Sequence, residues 1–157
     1  MTVQQTGIVF AVSRSEQTGT PKTPEDSIVL DASGVVGDAH SGPWHRQVSL
    51  LDAELIDEFS SKHGRKVCPG EFAENITTRG IDLAAIAPLD RLESGNVVLE
   101  VTQIGKECHG DSCAIFREVG TCIMPKSGIF ARVMTGGRLA PGDVLVHQPR
   151  LLRISTI

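Results

Sequence analysis

Short apolar runs separated by turn residues dominate this 157-residue chain, and only once does the apolar spacing become helical. Gly7–Ser13 (GIVFAVS), Ser27–Leu30 and Gln47–Leu51 read as strands, and Val97–Ile104 (VVLEVTQI) is the longest. The polar stretch Ser15–Asp26, with Pro21 and Pro24, reads as a loop. Gly128–Met134, then Gly136-Gly137, then Asp143–Val146 read as a hairpin-like pair. The helix is announced by Leu51, Leu55 and Phe59, four apart, with Ile56 beside them. Asp52 suits its N-cap, Glu54 its first turn, and Gly64 follows Lys62 and His63 as its stop. Ile81–Ile86 fits a short helical turn. Several strands around one good helix predict a mostly β fold: a β-barrel of short strands with one clear helix and short helical turns. No repeat, linker or low-complexity stretch interrupts it, so residues 1–157 are expected to form a single domain.

Composition sharpens this picture. Aromatic residues make up 4% of the chain, with five Phe, one Trp and no Tyr, so Val, Ile and Leu must build the core. Sixteen Gly and eight Pro supply the turns that short strands need. A net charge of −4 without a basic run argues against nucleic acid as the main partner. No apolar run approaches the roughly 18–20 residues that span a bilayer, and MTVQQTGIVF lacks the basic start and apolar centre of a secretory signal. No membrane association is expected, and the location expected is cytoplasmic. Four cysteines (Cys68, Cys108, Cys113 and Cys122) are too few for a disulfide scaffold of this size. In a reducing compartment they read as core thiols, ligands or reactive groups, and a Cys108–Cys113 disulfide would be transient.

Four groups of residues could carry chemistry. In Gly37–Gln47 (GDAHSGPWHRQ), Asp38, His40, His45 and Arg46 can converge, and an Arg just before a strand suits a fork aimed at phosphate or carboxylate. The plainer alternative is that Asp38 and His40 satisfy turn backbone groups. After the longest strand comes GKECHGDSC, where a thiolate beside Lys106 and His109 has cationic neighbours that favour ionisation, with Glu107 opposing. Zinc competes for Cys108, His109 and Cys113, with His40 and His45 as further ligands, but the spacing lacks a C-x2-C knuckle. In PGEFAENI, Glu74 and Asn75 precede an apolar residue, and an Asn there reads a ring edge or phosphate, or caps an Asx turn. Arg132 sits within an apolar strand, which calls for a partner or a ligand.

Taken in order, GDAH with Arg46, PGEFAENITTRGIDL, LEVTQIGKECHGDSC and GIFARVMTGGRLAPGD resemble the MOSC domain of molybdenum cofactor sulfurases. The short stand-alone type is the best likeness, roughly from Gly7 to Val146. The resemblance implies a barrel with a cleft that binds molybdenum cofactor (molybdopterin) or handles sulfur for it. Its key cysteine lies just past a strand and either ligates molybdenum or carries persulfide sulfur. Cys108 matches that position, and Cys113, five residues on, is the alternative thiol. The cofactor-anchoring groups carry over to Arg46 and Asn75 and then Arg132, with His40, His109 and Lys106 as further candidates from the same segments.

The implied partners are a cysteine desulfurase or another sulfur donor, and molybdenum cofactor biosynthesis proteins or molybdoenzymes. Pyridoxal phosphate would belong only to a partner desulfurase. The sulfur-carrier reading needs no cofactor of its own. Two other readings stand beside it: a small molybdenum-cofactor-dependent reductase of N-hydroxylated compounds, and a zinc-stabilised non-catalytic module. The barrel's strand edges leave room for a homodimer.

Overall fold

In the computed structural model, which describes residues 3–105 and 127–155, the short apolar runs pair edge to edge until the sheet closes. The described residues form eleven strands: β1 (Gln5–Arg14), β2 (Thr23–Glu25), β3 (Ile28–Asp31), β4 (Gly34–Val35), β5 (Val48–Asp52), β6 (Ile76–Arg79), β7 (Arg91–Ser94), β8 (Val97–Ile104), β9 (Ile129–Thr135), β10 (Gly137–Leu139) and β11 (Val144–Gln148). Helix α1 (Ala53–His63) and a short terminal helix α2 (Arg150–Ser155) join them, with one 3-10 turn at Leu83–Ala85. Seven strands in the order β11-β7-β8-β9-β5-β6-β1 close into a barrel, because β1 also pairs with β11. β2 extends β1 outside the ring, and β10, β3 and β4 form a separate three-stranded sheet. The expected β-barrel is the fold observed.

The barrel interior is aliphatic, as the scarcity of aromatics requires. Val9, Leu50, Ile76, Leu92, Leu99 and Ile129 are fully buried in one cluster, each side chain contributing about 1.5–3 kcal/mol by leaving water. All five residues of β5 are buried, because α1 covers the side of this strand that faces away from the barrel interior. Ile56 and Phe59 of α1 pack with Leu51, Phe72 and Phe130, and the Phe59 and Phe72 rings meet edge to face at 5.0 Å. Gly64 ends α1 in the left-handed conformation (φ 59°), where its N–H reaches the Ser60 carbonyl. Asp52 occupies the N-cap position without making a capping hydrogen bond.

Two local expectations are corrected. β9 and β11 are not a hairpin: β9 lies between β8 and β5, whereas β11 lies between β7 and β1. The residues between them do not turn back; they contribute β10, which crosses to pair with β3. The Ser15–Asp26 stretch is not loop throughout, because Thr23–Glu25 pairs with β1 as an outer strand, where Pro24 is tolerated. Among the described residues, no helix is long and apolar enough to cross a membrane.

Candidate functional site

A cleft of about 570 Å³ opens beside β8 and β9. Trp44, His45, Gln47, Glu100, Arg132 and Met134 are among its walls. Glu100 and Arg132 are cross-strand partners in the β8–β9 register. The Glu100 carboxylate is nearly buried and lies between two guanidinium groups: Arg132 Nη2 donates to Oε1 at 3.2 Å, and Arg91 Nε to Oε2 at 3.4 Å. Arg132 itself is half exposed, so its remaining N–H groups face the cleft and solvent. The Gln47 amide is wholly structural. Its NH2 donates to the Ala32 and Gly42 carbonyls and its oxygen accepts from the Val133 N–H, which fixes the cleft wall.

Leu89, another lining residue, holds a left-handed backbone (φ 75°) that costs a β-carbon-bearing residue roughly 1–2 kcal/mol. Its N–H donates to the Val101 carbonyl at 2.7 Å, anchoring it there.

The Pro43–Arg46 segment is tied to the far end of β8. Thr102 Oγ1 donates to the His45 carbonyl, and His45 Nε2 lies 2.9 Å from Gln103 Oε1. Arg46 packs against two rings, its guanidinium carbon 4.7 Å from the Trp44 centroid and 5.8 Å from that of Phe130. Its Nε is buried and has no hydrogen-bond partner, an unusual state for a guanidinium N–H. Here the positive charge is held by aromatic faces.

Behind this segment Asp38 and His40 meet a buried lysine that sequence reasoning did not find. Lys22, with no exposed side-chain surface, donates from Nζ to Asp38 Oδ1 at 2.8 Å and to Ser15 Oγ at 3.4 Å, and lies 3.1 Å from His40 Nδ1. Burial alone would raise the Asp38 carboxyl. The Lys22 ammonium and the backbone N–H groups of Ser15 and His40 hold it instead well below the usual carboxylate range. The His40 ring is about 29% exposed and parallel to Trp44, with centroids 6.4 Å apart.

Asn75 lies away from the cleft. Fully buried, it donates from Nδ2 to the Ser13 carbonyl and accepts at Oδ1 from the Ser49 N–H and hydroxyl, joining β1 to β5 where the parallel β5–β6 pairing begins. Glu74 is also fully buried, and burial pushes its carboxyl up, only partly opposed by the Gly70 N–H and the Thr77 hydroxyl that donate to Oε2. Gly70 is required at this turn: a Cβ there would stand 2.3 Å from the Lys22 carbonyl, at φ 90°.

The structure thus brings Arg132, His45 and Trp44 to one cleft, with Arg46 and His40 packed on Trp44. The expectations for Lys106, Cys108, His109 and Cys113 lie outside the described residues. Beside the ends of β8 and β9, the Gly105 N–H donates to the Gly128 carbonyl at 2.6 Å. Cys68 is exposed, and among the described residues no His, Cys, Asp and Glu groups gather as metal ligands.

Two further site residues had signals in the sequence. Trp44 is the one tryptophan in an aromatic-poor chain, and Glu100 is an acid inside the most apolar strand. Lys22, between two prolines' worth of polar loop, had none.

A small closed barrel with a cleft on its β8–β9 side is the class of fold these strands define. The profile of the MOSC domain matches residues 37–146, and the chain belongs to the MOSC domain family. That family is linked in general to molybdenum cofactor binding or sulfur-related function. Among solved structures, YuaD from Bacillus subtilis is similar at a TM-score of 0.79 and 18% identity, covering 96% of this chain and all of that one. YiiM from Geobacillus stearothermophilus is similar at 0.68 and 21%, covering 94% and 76%, and YiiM from Escherichia coli at 0.62 and 18%, covering 91% and 70%. At these identities the likeness is one of fold. No curated protein matches the chain.

Proposed function

We propose that this domain binds a molybdenum-cofactor-type ligand or carries sulfur for it, with Cys108 as the thiol that ligates molybdenum or holds a persulfide. The observation that supports this most is the Arg46 guanidinium, charged, pinned on Trp44 and Phe130, and with a buried Nε that no protein acceptor satisfies. An anionic group fits such a donor, and Arg132 offers a second fork on the cleft wall. Arg46 and Arg132 would hold the ligand's anionic part. When bound, the group supplies a sulfur-ligated metal to which a protein thiolate is a suitable soft ligand. The rest is done by the chain: Gln47 keeps the wall rigid, and the Glu100–Arg132 pair keeps the fork oriented.

A persulfide role needs an accessible thiolate and a donor protein such as a cysteine desulfurase, with molybdoenzymes or their assembly proteins as acceptors. A cytoplasmic setting suits reduced thiols.

The test is elemental and intact-mass analysis of freshly purified protein and of Cys108→Ser. The parent is expected to hold molybdenum or a one-sulfur adduct, and the folded variant neither. Equal loading of both proteins would overturn the proposal, and loading lost only in Cys113→Ser would move the role to that thiol.

A further inference from the structure

We infer that His40 is a dedicated hydrogen-bond donor, its ring proton fixed on Nε2 by Lys22, so that this corner of the site takes an oxyanion or another acceptor group and not a metal ion. The direction of each hydrogen bond leads there. Ser15 Oγ donates to the Gln17 carbonyl at 3.0 Å, so toward Lys22 it can only accept. Asp38 is ionised and accepts. Asp38 Oδ1, Ser15 Oγ and His40 Nδ1 therefore all face Lys22 Nζ, and an ammonium can only donate to them.

A proton on His40 Nδ1 would face that ammonium at 3.1 Å. Its other acceptor, Asp38 Oδ2, is 3.6 Å away and already takes the His40 backbone N–H at 3.0 Å. With Nδ1 accepting, the ring proton sits on Nε2.

The rest of His40 is equally fixed, since its carbonyl accepts from the Trp44 indole N–H at 2.7 Å. Among the described residues Nε2 makes no hydrogen bond, and the ring is partly exposed, beside the same Trp44 that carries Arg46. Lys22 and Asp38 are thus positioning residues for His40. An Nε2 that carries a proton has no lone pair to offer a metal ion, whereas it can donate to an anion.

This inference rests on the Gly37–Gln47 segment belonging to the ligand site, yet its first test needs no cofactor. Nitrogen-15 NMR of the histidine side chains of the full chain is expected to give His40 the pattern of an Nε2–H ring. An Nδ1–H or averaged pattern would overturn the inference, whatever the metal or sulfur content of the protein. In the charge-neutral double variant Lys22→Met/Asp38→Asn the tautomer ratio should relax to that of free histidine, measured alongside; a ratio unchanged from the parent would remove Lys22 from the role. Inorganic phosphate should move the His40 Nε2 resonance while an equal concentration of Zn2+ does not. The reverse pattern, or no response to phosphate, refutes the donor role. His40→Gln, which retains an N–H near the Nε2 position, should keep phosphate affinity, and His40→Ala should weaken it about ten- to hundredfold, the effect of losing one hydrogen bond to a charged group. Equal affinity in both would also count against it.

Discussion

Asn75 offers the sharpest separation of strut from ligand group, and Asn75→Ala tests it. In the parent, the amide satisfies the Ser13 carbonyl and the Ser49 N–H at 3.1 Å each, inside a region with no exposed surface. Alanine leaves two buried backbone groups without these partners, at about 1–3 kcal/mol each. The combined loss is about 2–6 kcal/mol, and water entering the vacated space moves it toward the low end. With a urea m-value of about 2 kcal/mol/M, the unfolding midpoint should fall by about 1–3 M. Whatever fraction remains folded should keep the parent's molybdenum or sulfur content. Urea unfolding followed by tryptophan fluorescence reads the first quantity, because Trp44 is the one indole, and elemental and mass analysis read the second. An unchanged midpoint with loss of bound metal or sulfur would refute the reasoning, since the amide would then be serving a ligand.

Two further outcomes are expected. Burial, with Glu54 and Asp82 adding like charge, pushes the Asp52 carboxyl up to about 6, partly opposed by its own backbone N–H and that of Leu55. A carboxyl raised on folding stabilises the protein at pH values below its unfolded pKa, and that stability is lost as pH rises through about 6. Asp52→Asn, which keeps a residue suited to the N-cap, should flatten the thermal-stability profile between about pH 4 and 7 and raise stability near pH 8 by about 1–3 kcal/mol; an unaltered profile contradicts it. Arg132→Ala should move stability by less than about 1 kcal/mol, because its ion pair is half solvated, while lowering retention of anionic ligand in equilibrium dialysis; a large drop in melting temperature would make Arg132 structural instead.

The elements legible in the sequence were those with a strong period. β8 was read to the residue because VVLEVTQI is rich in β-branched residues over a full strand length, and α1 because Ile56 and Phe59 share its buried face, although Leu51 belongs to β5 and Leu55 is only half-buried. β7 (RLES) and β10 (GRL) are too short and polar to stand out, and in β6 (ITTR) two of the three buried positions are threonines. The site was legible where residues were neighbours in the chain, as in Asp38, His40, His45 and Arg46. It was not where pairing creates it. Glu100 meets Arg132 only through the β8–β9 register, and Lys22 reaches Asp38 only because the loop before β2 folds inward against Gly70. A lysine in a proline-flanked polar stretch looks like solvent-facing surface, and nothing local marks it as buried.

The seam between β1 and β11 constrains how this protein can be made. Ile8 pairs with Arg79 on one side, but must wait for Val144 to be synthesised before it gains its ladder partner on the other. During synthesis that flank of β1 therefore stays open until β11 has been made. Ring closure is a late event dominated by distant contacts, which makes for slow folding and for an interval in which a chaperone has a strand edge to shield.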